Sequence, residues 1–112
     1  IIEVSPATDE IVWSYEGSPG PQLFSGHISG VSRQPGGNVL LCEGTSGRLL
    51  EVTQQRQPAW EWINPFVNNA ANGSPTVSIY RVHRYLPDHP ALADRDLNPE
   101  RFANLNQLNG LL

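Results

Sequence analysis

The chain has 112 residues and a formal net charge of −4, with 7 Lys and Arg against 11 Asp and Glu. This balance provides no basic surface for a phosphate backbone, so nucleic acid is excluded as a partner. No apolar run reaches the roughly 18 residues of a membrane span, and the first residues lack the basic and apolar regions of a signal peptide.

Short runs of β-branched and aromatic residues alternate with turns that hold most of the 10 Gly and 10 Pro. This texture predicts an all-β fold. Seven strands are predicted, at residues 1–4, 11–15, 27–33, 38–43, 48–52, 59–63 and 77–85. Polar turns at residues 35–38, 45–47 and 53–58 connect the third to the sixth strand, so these four strands are expected to form one antiparallel sheet.

Two segments repeat the same pattern. Residues 1–15 read IIEVSPATDEIVWSY and residues 49–62 read LLEVTQQRQPAWEW, so each has two aliphatic residues, Glu, Val, a polar turn, Trp and a second aromatic residue. A period of roughly 40 to 50 residues is typical of β-propeller blades, which have four antiparallel strands. The sequence therefore predicts a β-propeller with a complete blade at residues 27–64 and partial blades at residues 1–16 and 77–86.

The chain is short for a closed propeller, which usually has four or more blades. We expect it to be part of a larger propeller or to be completed by oligomerisation, and its partners to be further blades or further copies of itself. Residues 1–87 are predicted to form the partial propeller. From residue 88 onwards, apolar and polar residues no longer alternate as they do in a strand. Residues 88–112 are predicted to be an extended tail in which Pro99 begins a short helix.

The tryptophans and the single cysteine are expected to be structural. Trp13 and Trp60 hold equivalent positions in the repeat, which predicts that both fill the wedge between adjacent sheets. On this interpretation, replacing Trp60 with Ala lowers the free energy of unfolding by roughly 3 to 5 kcal/mol. Cys42 lies in the apolar run VLLC and is expected to be a buried, unreactive thiol.

Three segments carry a family resemblance: ISGVSRQPGGNVLLCEGTSGRLLEV, AWEWINPF and VSIYRVHRYLPDHPAL. Together they resemble the C-terminal part of bacterial arylsulfotransferase-like propeller proteins, over about residues 1–98. The resemblance implies a six-bladed β-propeller, a periplasmic or secreted location, and transfer of a sulfuryl group from a phenolic sulfate ester to a phenol. It implies no cofactor. A histidine at the central channel would accept the sulfuryl group, while other His, Arg and Asn residues stabilise its oxygens.

The candidate catalytic residues are His27, Arg81 and His83. The family pattern has His-His-Asp at the start of the innermost strand, where this chain reads Ile28, Ser29 and Gly30. His27 precedes that position by one residue. Arg81 and His83 lie two positions apart on the seventh predicted strand. Each candidate also has a structural alternative to a catalytic role. His27 would be a polar residue at the start of a strand, and Arg81 and His83 would pair with carboxylates. Catalysis by this chain alone is therefore in doubt.

Two other functions fit the same sequence. One is a non-catalytic propeller that binds a partner, because the inner strand lacks the family's histidines. The other is a small propeller that closes by self-assembly. The sequence has no H-x-H or H-x-x-x-H spacing and no second cysteine, so no metal site is predicted.

Overall fold

The computed structural model describes residues 1–17 and 23–108. The chain forms two compact units, Ile1–Val82 and His83–Leu112. All ladders in the described part of the chain are antiparallel and join two to four strands. The described helices have six residues or fewer. The all-β fold class is thus confirmed.

Six of the predicted strands are present with shifts of at most about two residues at their ends, within the usual uncertainty of strand boundaries. They are β1 (Ile2–Val4), β2 (Ile11–Ser14), β3 (Ser29–Arg33), β4 (Val39–Glu43), β5 (Arg48–Val52) and β6 (Pro58–Ile63). β1 and β2 form a hairpin, while β3 to β6 form one four-stranded sheet in the order β3-β4-β5-β6. Neighbours in the sheet are also neighbours in sequence, so every connection is a hairpin.

The hairpin turns follow from the residues that close them. Gly37 adopts φ +87°, which a side chain rarely permits, and its N–H donates to the Gln34 carbonyl at 2.8 Å. Between β4 and β5, a 3-10 turn at Gly44–Ser46 ends at Gly47 with φ +67°. Glycine at both positions lets the sheet reverse direction within a few residues.

The core lies on one face of the four-stranded sheet. Leu41 pairs with Leu50 and Val39 with Val52 in the ladder, so these four side chains point to the same face. Tyr15, which directly follows β2, packs on them and is only 4% exposed. The hairpin of β1 and β2 therefore covers this face, which we call the hairpin face. β4 is buried along its whole length because the opposite face is covered as well.

The four-stranded sheet and the hairpin are also joined by polar contacts. Arg33 forms an ion pair with Glu3, and its guanidinium carbon lies 5.6 Å from the ring centroid of Trp13. The Trp13 indole N–H donates to the Gln54 carbonyl at 3.0 Å, and Arg56 Nε donates to the Ser14 carbonyl at 2.8 Å. These contacts fix the position of the hairpin over the sheet.

The expectation for the tryptophans is confirmed for one of them and wrong for the other. Trp13 is partly buried against the core cluster and its ring stacks with that of Tyr15, 6.3 Å between centroids. Trp60 is 42% exposed, because it lies on the outer strand β6 on the face opposite to the hairpin. Replacing Trp60 with Ala should therefore lower the free energy of unfolding by less than the replacement of a core side chain does.

The seventh predicted strand is not present: residues 77–85 form no ladder. Residues 77–79 are held instead by single hydrogen bonds to the turn after β4 and to Asn64. The Ile79 N–H donates to the Gly44 carbonyl at 2.9 Å, and Asn64 Nδ2 donates to the Val77 carbonyl at 2.8 Å. Where a connection was predicted, β7 (Asn68–Asn69) and β8 (Pro75–Thr76) form a minimal hairpin, because Gly73 closes its turn at φ +79°.

The second unit contains the predicted short helix. Asn98 Oδ1 accepts the Glu100 N–H at 3.0 Å, and Pro99 occupies the first helical position of a 3-10 turn at Pro99–Phe102. The chain then continues into a helix, α1 (Ala103–Leu108). Proline at this position costs no hydrogen bond and has the φ of a helix, so the helix begins where the sequence predicts.

Cys42 should react slowly with alkylating reagents in the folded protein. It is 3% exposed, and its thiol donates to the Ile79 carbonyl at 3.7 Å. Burial raises the pKa of the Cys42 thiol above its ordinary value of 9.0. Since the thiolate is the nucleophile, iodoacetamide at pH 8 should modify the folded chain about tenfold or more slowly than the chain in urea. Intact-mass spectrometry measures both rates, and equal rates would contradict this burial.

The same shift has a consequence for stability at high pH. A raised pKa in the folded state means that the unfolded chain loses the thiol proton first. The folded state therefore loses stability as the pH rises above 9.0 and on through the pKa of the folded thiol. Cys42→Ala should reduce this part of the pH dependence, which urea titrations at pH 8 and pH 10 can measure.

Candidate functional site

A cleft of about 440 Å³ lies beside the edge strand β3, at the end of the sheet where β3 begins and β4 ends. Its walls combine apolar side chains from the core with hydroxyl and charged groups. The lining residues that bear on chemistry are Ser25, Ser29, Gly30, Cys42, Glu43 and Arg81. The cleft contains one of the three candidate catalytic residues, Arg81.

The Arg81 side chain lies against the edge strand β3 at Gly30. A Cβ atom on Gly30 would lie 3.8 Å from Arg81 Cγ and 4.0 Å from Arg81 Nε, which is ordinary van der Waals contact. Arg81 itself is exposed, so its guanidinium retains donors for a ligand in the cleft. The structure therefore places the Arg81 side chain against the edge strand β3 at Gly30.

Glu43 places a carboxylate in the same cleft. Its side chain is 7% exposed; Oε1 accepts the Phe24 N–H at 2.6 Å, and Oε2 lies 3.6 Å from Arg48 Nη1. Arg48 also donates from Nε to Glu61 at 2.5 Å. Glu43 is thus held in place by a backbone N–H and a cation, and it makes one side of the cleft negative while Arg81 makes another positive.

A hydroxyl network holds the segment before β3. Ser25 Oγ lies 2.7 and 2.9 Å from the carbonyl oxygens of His27 and Ile28, either of which can accept its hydrogen, and 2.8 Å from Thr45 Oγ1. Ile28 has φ +48°, an uncommon conformation for a β-branched residue. The chain therefore turns sharply at Ile28, and β3 begins at Ser29 and not at His27.

The two histidines are placed differently. His27 is exposed, precedes the turn at Ile28 and is not among the residues that line the cleft. Its carbonyl accepts hydrogen bonds from Ser25 and Thr45. His83 is exposed and belongs to the second unit. The structure does not bring His27 and Arg81 together at the cleft, and the role of each in catalysis stays a prediction.

Sequence reasoning missed Ser25, Glu43 and Thr45 as parts of this site. Ser25 and Thr45 are 20 positions apart, and no short spacing marks them. Glu43 was read only as the end of a strand. The sequence does contain a signal for Glu43, because this residue ends the apolar run VLLCE. A carboxylate buried with such a run requires partners for its charge.

Among residues 1–17 and 23–108, no group of three or more His, Cys, Asp or Glu side chains is close enough to hold a metal ion. No helix in the same ranges is long and apolar enough to cross a membrane.

Comparison with known proteins returns no relative. No protein-family model, no curated protein and no solved structure matches the chain.

Proposed function

We propose that this chain forms the blade wall of an arylsulfotransferase-like β-propeller, in which Arg81 binds the sulfate group of a phenolic sulfate ester. The intact propeller transfers the sulfuryl group to a second phenol. In this proposal the histidine that accepts the sulfuryl group is supplied at the channel of the assembled propeller, with His27 and His83 as the candidates from this chain.

The observation that carries the blade role is the packing of a repeated hairpin on a four-stranded sheet. β1 and β2 repeat the sequence pattern of β5 and β6, and they pack on the hairpin face through Trp13 and Tyr15. In a propeller, the outer strands of one blade pack on the face of the next in this manner. In this proposal the chain supplies one blade and half of its neighbour.

The binding role of Arg81 is supported by its position. Arg81 lies at Gly30 on the inner strand, and inner strands line the channel of a propeller. A guanidinium presents paired donors that match the oxygens of a sulfate group. The Ser29 hydroxyl lines the same cleft and offers a further donor.

Arg81→Ala should weaken binding of p-nitrophenyl sulfate by about tenfold, the lower end for a charge-assisted hydrogen bond, because Arg81 is exposed. Isothermal titration calorimetry measures the affinity. Arg101→Ala is the matched control, since Arg101 is 59% exposed in the second unit and should leave the affinity unchanged. Equal affinity of the wild type and Arg81→Ala would refute the proposed sulfate site.

A second candidate function is a non-catalytic propeller module that binds a protein or small molecule. It is favoured by the start of β3, where Ile28, Ser29 and Gly30 stand in place of histidines, and by the Glu43 carboxylate, which repels an anionic ester. Incubation with p-nitrophenyl sulfate and phenol separates the two functions in the assembled protein. Release of p-nitrophenol with an SO₃ adduct on a histidine, seen by mass spectrometry, supports transfer; neither signal in the folded protein supports the binding module.

A further inference from the structure

The strand β1 has the same sequence pattern as β5 but fewer neighbours. In the four-stranded sheet, β5 pairs with β4 on one edge and with β6 on the other. β1 pairs only with β2 among the strands that the structure describes. Because IIEV at residues 1–4 corresponds to LLEV at residues 49–52, the edge of β1 without a ladder corresponds to the edge of β5 that pairs with β4.

The main-chain groups at this edge can be assigned. Ile1 and Tyr15 exchange both backbone hydrogen bonds, Ile1 N to Tyr15 O at 2.8 Å and Tyr15 N to Ile1 O at 2.9 Å. Because such pairs alternate along an antiparallel ladder, the N–H and C=O groups of Ile2 point away from β2. The side chain of Ile2 is 61% exposed, whereas Leu50 at the corresponding position of β5 is 1% exposed.

The hairpin face is covered over β4 and β5 but not over β3. Val31 of β3 pairs with Leu41 of β4 in the ladder, so the two side chains lie next to each other on this face. Leu41 is 1% exposed and Val31 is 59% exposed. The cover therefore stops at the edge of β1, and the apolar surface of the sheet continues beyond it.

Two clefts occupy the space between this edge and the face of β3. The cleft of about 440 Å³ and a second of about 180 Å³ are both lined by Ile1 and Val31. The smaller one also contacts Ile2, Ser32 and Val39. We call this space, from the edge of β1 to Val31, the strand groove.

We propose that the strand groove binds an antiparallel β-hairpin of the type formed by β3 and β4, supplied by another polypeptide segment. The apolar second strand of that hairpin adds to the edge of β1, and its first strand lies over Val31. The chain itself shows the arrangement, because β4 pairs with β5 in the register Leu41 to Leu50. The same register on β1 places an apolar residue opposite Ile2. The inference rests on the blade role proposed above and not on sulfuryl transfer.

A second copy of the chain is a poorer occupant than a separate hairpin. In each copy β4 already lies between β3 and β5, with hydrogen-bonded ladders on both edges. Donating β4 to a neighbour would require a copy to open its own sheet and expose four core side chains. A segment that is not yet paired carries no such cost.

The test is binding of a synthetic peptide with the sequence of residues 28–44, carrying Cys42→Ser so that it cannot form a disulfide. We expect saturable one-to-one binding in calorimetry. Hydrogen exchange by NMR should show the amide of Ile2 slowed about tenfold or more in the complex, because a ladder hydrogen bond protects an amide from exchange. A peptide with Leu41→Pro, which cannot complete the ladder, should not bind.

Variants of the chain locate the binding. Ile2→Pro removes the N–H at the groove edge while leaving the bonds between Ile1 and Tyr15, and it should abolish binding. Val31→Glu places a charge beneath the bound hairpin and should weaken binding at least tenfold, which provides a second variant if Ile2→Pro does not fold. Val12→Thr is the control, because Val12 is 59% exposed on β2 and does not line the groove.

Three results would overturn the proposal: no saturable binding, protection of amides on β6 in place of Ile2, or binding that Val31→Glu does not change. Self-association of the chain alone, with the amide of Ile2 protected and the dimer lost in Ile2→Pro, would show that a second copy fills the groove. Arg101→Ala should leave peptide binding unchanged, because Arg101 belongs to the second unit and lines neither cleft. Absence of ester binding by the wild type, with peptide binding retained, refutes the sulfate site and not the strand groove.

Discussion

Leu41→Ala should lower the free energy of unfolding by about 3 to 4 kcal/mol, one of the two largest effects expected of a single substitution in this chain. Leu41 is 1% exposed and packs with Leu50 and Tyr15 in the core cluster. Removing three carbon atoms leaves a cavity that the surrounding ladders cannot close. Urea denaturation followed by tryptophan fluorescence measures the loss.

Val31→Ala provides the matched control for this prediction. Val31 is the ladder partner of Leu41 on the same face, but it is 59% exposed. Its replacement should cost less than about 1 kcal/mol, because little apolar area leaves a packed environment. Equal losses for the two variants would mean that the hairpin of β1 and β2 does not cover Leu41.

Gly44→Ala should destabilise the first unit by about 3 kcal/mol, at the upper end for overpacking. A Cβ atom at this position would lie 2.2 Å from the Ile28 carbonyl oxygen and 2.4 Å from that of Ile79. Both are backbone atoms that cannot rotate away. Thermal unfolding by circular dichroism measures the effect, and hydrogen exchange of the Ile79 amide, which donates to the Gly44 carbonyl, reports the local change.

Gly36→Ala is the control for Gly44→Ala. Gly36 lies in the turn between β3 and β4, and a Cβ there meets no atom within 4 Å. Its replacement should change the free energy of unfolding by less than about 1 kcal/mol. If both variants were equally stable, the segment at residues 77–79 would not lie against the turn after β4.

The close approach at Gly44 matters for the site as well as for stability. Gly44 holds the turn at Ile28 on one side and the segment that leads to Arg81 on the other. Gly47 makes a similar approach, since a Cβ there would lie 2.2 Å from the Val77 carbonyl oxygen. The turn between β4 and β5 therefore positions both the start of β3 and the arginine of the candidate site.

The sheet was predictable because its determinants are local. Alternating apolar residues, the sequence QPGGN and the sequence GTSG each specify a strand or a turn within a few residues. The prediction of a seventh strand was wrong for a non-local reason. Residues 77–85 have a strand-like pattern, but a strand requires a ladder partner, and residues 77–79 are bonded singly to Gly44 and Asn64.

The candidate site was less predictable than the sheet. The sequence marks Arg81 as a candidate through its position on the seventh predicted strand. Its neighbours in the cleft, Gly30 and Glu43, come from distant parts of the chain. The sequence predicts that the third strand begins at His27. In the structure Ile28 has a positive φ, and β3 begins two residues later, at Ser29. The left-handed isoleucine has no sequence signal, because the hydrogen bonds around this turn include a distant partner, Thr45, whose Oγ1 donates to the His27 carbonyl at 3.0 Å.

The sequence by itself determined the all-β class, six strands, the turns between them and the repeated hairpin, since each depends on contacts between residues close in the chain. Only the tertiary structure decided that Trp13 packs against the core while Trp60 is exposed, and that Arg81 rather than His27 enters the cleft. These outcomes depend on which face of the sheet another segment covers. Burial of that kind is a property of the folded chain and not of any single strand.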